Sequence, residues 1–150
     1  MPDNPRILII EEHTALRAML FAVLRHQSLS VDTAASTREA LDHISTCDYA
    51  LILIDLALAG GEADQFFAAF RRMKPDAETF IIAVRDPNND IYIDPAIVSA
   101  VVTKPLEIDT LAEVVRECAA VMPQPAPAEN CPPAESDYRD SVDRGDYLAN

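Results

Sequence analysis

Only three glycines occur in the 150 residues, Gly60, Gly61 and Gly145, and they stand in neither a P-loop nor a dinucleotide-binding spacing. Glycine-rich phosphate cradles are therefore excluded. Cysteine is equally scarce: Cys47, Cys118 and Cys131 are an odd number at wide spacings with no C-x-x-C pair. The pattern fits neither a disulfide framework nor a zinc site, and the three read as reduced thiols in the cytosol. Basic residues are few, 12 Lys and Arg against 25 Asp and Glu, for a formal charge of −13. That charge repels phosphate backbones and argues against nucleic-acid binding. No apolar run approaches the ~18 residues of a membrane span, and no charged start precedes an apolar stretch of signal-peptide length. The expectation is a cytoplasmic chain without membrane contact.

What remains is ordinary globular material, 49% hydrophobic and 25% charged. Compact domains mostly run ~100–150 residues, so there is room for one domain and a tail. The composition shifts after Met122: Pro123, Pro125, Pro127, Pro132 and Pro133 crowd together and stop any helix. From 123 to 150, six acids stand against Arg139 and Arg144 with few aliphatics, the composition of a segment unable to offset its ordering entropy. Residues 1–122 thus read as the domain and 123–150 as a Pro-rich, acidic, disordered tail. Tyr138, Val142, Tyr147 and Leu148 read as incidental there rather than as a docking motif.

Within the domain, apolar runs of strand length alternate with helical periodicity. Arg6–Ile10 is continuous and β-branched, as expected of a parallel strand buried on both faces. Ala15, Leu16, Met19, Leu20, Val23 and Leu24 recur at helical spacing. Val31–Ala34 reads as a short strand. Ser36-Thr37-Arg38-Glu39 reads as a capping box that opens a helix with Ala40, Leu41 and Ile44 inward. Tyr49–Ile54 is the most apolar run and the candidate central strand. Phe66, Phe67 and Phe70 mark a third helix as core residues, closed before Pro75. Phe80–Val84 and Ala100–Thr103 read as strands, and Ile108–Val121 as a last helix with Leu111, Val114, Val115 and Cys118 inward. Between the last two strands, Asp86-Pro87-Asn88-Asn89-Asp90 and Asp94-Pro95 break any long helix. Such alternation predicts a doubly wound α/β domain: a five-stranded, mostly parallel sheet with helices on both faces and a fourth helix short or missing.

In such sheets the functional crevice lies beyond the carboxyl ends of the strands. Those ends supply Glu11 and Glu12, Asp55, Arg85 and Asp86, and Lys104. Converging carboxylates repel and require a divalent cation or basic partners, and oxygen-only acidic ligands favour Mg²⁺. Solvated strand-end acids are the plain reading of any one of these residues; their joint placement is what points to a site. His13 adjoins the acids, but His13, His26 and His43 lack ligand spacing and read as surface residues.

The runs R-I-L-I-I-E-E-H-T-A-L-R (Arg6–Arg17), L-I-L-I-D-L (Leu51–Leu56) and V-V-T-K-P-L (Val101–Leu106) resemble, in this order and spacing, the receiver domain of bacterial response regulators, a CheY-like, flavodoxin-like (βα)₅ fold. The resemblance covers residues 6 to about 121. It implies that Asp55 takes a phosphoryl group from the phosphohistidine of a histidine kinase or phosphotransferase. It also implies that Glu11, Glu12 and Asp55 hold Mg²⁺, that Lys104 binds the phosphoryl oxygens, and that Lys104-Pro105 is cis. These roles match what phosphoryl transfer requires.

The sequence departs from that pattern at its working parts. Both members of the acid pair are glutamate, and the extra methylene carries each carboxylate outward by roughly 1.5 Å. Arg85 stands where the family has the Ser or Thr of its switch, and Val101 where it has the aromatic. Asp86 adds negative charge, and Ala59 and Ala63 replace the usual proline and glycine after Asp55. Arg85 is read three ways: bidentate to a phosphoryl group, paired with Asp55 or Glu12 at rest, or exposed on its loop. The leading expectation is a stand-alone, non-enzymatic receiver that accepts a phosphoryl group at Asp55 and signals through protein contacts. The alternative is a degenerate receiver acting as a phosphorylation-independent adaptor. An aspartate-nucleophile phosphohydrolase is disfavoured, because Ala57 occupies the second place of its D-x-D arrangement.

Overall fold

The computed structural model describes residues 4–58, 62–125 and 128–138. Among these residues the elements run β1 (Arg6–Ile10), α1 (Thr14–Leu24), β2 (Ser30–Ala34), α2 (Thr37–Thr46), β3 (Leu51–Asp55), α3 (Glu62–Met73), β4 (Phe80–Arg85), β5 (Ala100–Thr103) and α4 (Ile108–Val121), with a short helical turn at 135–138. The strands form one sheet in the order β2-β1-β3-β4-β5, every pair parallel. Parallel neighbours need crossovers, and helices supply three of the four, leaving both faces of the central strands buried. The expected doubly wound sheet is thus observed.

Alternation of side chains along each strand divides the core into two layers. Leu8, Ile10, Ile52, Ile54, Ile81 and Ala83 face α2 and α3, where Ala40, Ile44 and the three phenylalanines pack. Ile7, Ile9, Leu51, Leu53, Ile82 and Val84 face α1 and α4, against Leu20, Phe21, Leu24, Leu111 and Val115. Full burial of one such side chain is worth ~1.5–3 kcal/mol. Phe66 stacks on Phe70 and meets Phe67 edge to face, with centroids 6.1 and 5.8 Å apart, so the phenylalanines are core, as expected.

Local signals set several element ends. Ser36 Oγ accepts the Glu39 N–H at 3.2 Å, and the Glu39 carboxylate accepts the Ala35 N–H at 3.0 Å, which is the capping box with its return bond one residue further out. The α1 face is rotated from the expected one: Leu20, Phe21 and Leu24 are buried, whereas Met19 is 51% exposed. On α4, Ala112 and Ala119 are buried beside Leu111 and Val115, while Val114 faces outward and Cys118 is half-buried.

No helix forms between β4 and β5. Residues 86–99 instead make side-chain-supported turns, in which Asn89 Oδ1 accepts the Ile91 N–H and Asp94 Oδ1 the Ala96 N–H, both at 2.9 Å.

Two expectations are corrected. Cys47, the C-cap of α2, and Cys131 form a disulfide across 84 residues, so of the three thiols Cys118 alone stays reduced. Spacing rules seek short repeats or even counts; here the fold returns a distant segment to within 4.9 Å between Cα atoms. The segment 128–138, expected within a disordered tail, lies against β2 with Ala134 and Ser136 buried. Composition missed this because the contact is made by small side chains and polar groups rather than by aliphatics. Residues 126–127 and 139–150, including Val142, Tyr147 and Leu148, lie outside the described residues, as does Ala59.

Candidate functional site

Strand register assembles the site. Ile10 pairs with Ile54, so Glu11 leaves β1 beside Asp55, the last residue of β3. Asp55 pairs with Val84 and Arg85 with Thr103, so Arg85 and Lys104 emerge on the same rim. The Lys104 N–H donates to the Arg85 carbonyl at 2.9 Å, and the following Lys104-Pro105 bond is cis, as the resemblance implied.

Asp55 is 5% exposed and carries a full set of partners. Its Oδ1 accepts the Ala57 N–H at 2.9 Å, its Oδ2 lies 2.8 Å from Lys104 Nζ, and its carboxylate shares a hydrogen bond with the Glu11 carboxyl. Burial opposes the Asp55 charge, but the bonds from Glu11, Lys104 and Ala57 outweigh it and hold its carboxyl below the usual range. Desolvation likewise opposes the Lys104 charge, and Asp55 with Asp86, 3.6 Å away, more than reverses it. Glu11, 5% exposed, is pushed up to about 7, first by burial and then by its bond to Asp55, against the His13 N–H on its Oε2 at 3.0 Å. Near neutral pH, then, Asp55 is ionised, whereas Glu11 titrates there.

Glu12 is exposed, and among the described residues Glu11, Glu12 and Asp55 do not gather into a three-acid group of metal-binding shape. Glu11 and Asp55 do meet. Their hard oxygen donors suit a small divalent cation in kind. Arg85 is half-buried at the end of β4, and the cation paired with Asp55 is Lys104. Val101 is 41% exposed on β5, because no helix covers that side of the strand.

Two residues beyond the strand-end set order the acid turn. Arg17 donates to the backbone carbonyls of Glu11 at 3.0 Å and Glu12 at 3.2 Å, so it orders the acid turn from the next helix. His13 caps α1, its Nδ1 accepting the Leu16 N–H at 3.3 Å while its own N–H holds Glu11. An arginine one helical turn inside α1, following an acid pair, is the pattern by which Arg17 was open to detection. His43, read as a surface residue, bonds the Thr33 carbonyl through Nε2 at 3.0 Å.

Comparison with known proteins agrees with the fold. The fold matches the receiver domain (CheY-like) from Methylobacillus flagellatus, with a TM-score of 0.66 at 22% identity, covering 76% of this chain and 98% of that one. It also matches the response regulator TrrA from Thermotoga maritima in complex with Mg²⁺-BeF, with a TM-score of 0.64 at 24% identity, covering 76% and 98%. The transcriptional regulatory protein TcrA of Mycobacterium tuberculosis is 27% identical over 132 residues, 81% of this chain and 49% of that protein. The chain spans about half or less of the length of the curated relatives it matches. No helix among the described residues is long and apolar enough to cross a membrane. The family model of the response regulator receiver domain matches residues 7–116, and the chain therefore belongs to that family of two-component signalling domains.

Proposed function

We propose that the chain accepts a phosphoryl group at Asp55 from the phosphohistidine of a histidine kinase or phosphotransferase, in the cytoplasm, and signals through protein contacts rather than as an enzyme. One observation carries the reading: a buried aspartate at the carboxyl end of the central strand, kept ionised by a lysine 2.8 Å away. An Asp55 oxygen attacks phosphorus as the bond to the histidine nitrogen breaks, and Lys104 meets the charge on the phosphoryl oxygens. Lys104 alone does not balance a dianion beside Asp55, Asp86 and Glu12. This argues for Mg²⁺ held by Glu11 and Asp55, with Glu12 on the same turn; bound there, the cation supplies charge neutralisation. Arg85 supplies a second cation from β4.

The test is incubation with Mg²⁺ and acetyl phosphate, read by intact mass. A gain of one phosphoryl group in the native chain and none in Asp55→Ala supports the reading. No gain with either acetyl phosphate or a cognate kinase rejects it.

A second reading, a phosphorylation-independent adaptor, draws on the missing helix between β4 and β5 and on Arg85 and Val101 at the switch positions. Under it, Asp55→Ala keeps the partners that co-purify with the native chain.

A further inference from the structure

β2 is an outer strand of the sheet, so the N–H groups of Val31 and Thr33 point away from β1. Outer strands with bare amides invite pairing with other chains, and proteins cover them. Here the cover is the chain's own segment 128–138. Ser136 Oγ accepts the Val31 N–H at 2.8 Å, and Glu135 Oε1 accepts the Thr33 hydroxyl at 2.8 Å and its N–H at 3.3 Å. The segment is also held from beneath. The Glu135 N–H donates to Asp32 Oδ1 at 2.8 Å, and Arg6, which grips the other Asp32 oxygen at 2.7 and 2.9 Å, donates to the Pro132 carbonyl at 2.8 Å. Tyr49 completes the set, its hydroxyl 2.6 Å from Asp32 Oδ2. At the head of the segment stands the Cys47–Cys131 disulfide.

We propose that Cys47 and Cys131 are a redox couple that latches residues 128–138 onto β2, and that two-electron reduction releases the segment and bares the Val31 and Thr33 amides. Cys47 is 1% exposed and Cys131 half-buried, so attack comes at the Cys131 sulfur. A thiolate of a dithiol reductant bonds to Cys131 Sγ, the Cys47–Cys131 bond breaks, and Cys47 leaves as a thiolate that takes up a proton. The reductant's second thiol then displaces Cys131, which leaves as a thiol, and the reductant ends as its own disulfide. Once the crosslink is gone, a few hydrogen bonds must hold a Pro-rich segment whose ordering entropy exceeds their net worth. Disulfides in reducing compartments are transient and redox-sensing, which suits a latch that opens.

The test uses the full chain equilibrated in oxidised or in reduced dithiothreitol. Iodoacetamide under denaturing conditions should label one cysteine, Cys118, after the first and all three after the second. Amide exchange at Val31 and Thr33 should be at least about tenfold faster in the reduced chain, with the β3 amides Leu51–Asp55 equally protected in both. Cys131→Ser should exchange fast at 31 and 33 in either buffer. Labelling of all three cysteines after oxidation overturns the proposal. Equal protection of Val31 and Thr33 in the two forms of the native chain also overturns it, whether or not Cys131→Ser folds.

Discussion

Lys104 Nζ lies 2.8 Å from Asp55 Oδ2, a contact that joins the end of β5 to the end of β3 across β4. Asp55 is buried and Lys104 about a quarter exposed, so removing the cation strands a charge that burial already disfavours. Lys104→Met is therefore expected to cost about 1–3 kcal/mol near pH 7, discounted for the exposure of the lysine. Lys104→Met in an Asp55→Asn background should cost much less. Urea denaturation of the four proteins in the cycle measures the difference, and equal costs in both backgrounds would contradict the pairing.

Glu11 carries a pH signature. Burial raises its pKa to about 7 in the fold, against 4.5 in the unfolded chain. The native state therefore holds the extra proton between these values. Stability from this group is fully present below about 4.5 and is lost as pH rises through 7. Native protein should become less stable from pH 5 to pH 8 relative to Glu11→Gln, by up to a few kcal/mol. Parallel stability curves for the two proteins would refute the assignment.

Mg²⁺ held by Glu11 and Asp55 would need both carboxyls deprotonated and so would compete with the proton on Glu11. In weakly buffered solution near pH 6.5, adding Mg²⁺ is expected to release up to one proton per chain, and Glu11→Gln should release none. Release that survives this substitution places the cation elsewhere.

Arg85, at the end of β4, brings a guanidinium to the rim that holds Asp55. If it meets the transferred phosphoryl group, Arg85→Ala should slow phosphorylation about tenfold, the equivalent of ~1.4 kcal/mol in the barrier, while leaving the Lys104–Asp55 pair intact. An unchanged rate removes Arg85 from that role.

Ser28 has φ 61°, the left-handed conformation that glycine adopts without penalty, in the turn after α1. Ser28→Gly should stabilise the fold by about 0.5–1 kcal/mol in urea denaturation. A loss of stability would mean that the serine side chain contributes more than its backbone costs.

Much of this was legible in the linear order, for local reasons. β1 and β3 are continuous apolar runs, which only strands buried on both faces require, and parallel strands bring their following residues to one rim. Glu11, Asp55, Arg85 and Lys104 were therefore placed by counting from strand ends. The breaks at Pro87 and Pro95 removed the helix between β4 and β5 by backbone chemistry alone. Contacts between residues far apart in sequence were not legible. The phase of α1, with Phe21 inward and Met19 out, follows from how α1 seats on β1 and packs beside α4. The raised pKa of Glu11 follows from its burial and from Asp55 beside it, and neither is encoded in residue types.

The sheet, its helices and the side chains that crown the strand ends are set locally along the chain, because hydrophobic period and turn residues act within a few positions. That Lys104 takes the Asp55 charge, and that Cys131 returns to Cys47 with its segment on β2, emerges in the folded chain alone. Both depend on separations closed by the whole fold.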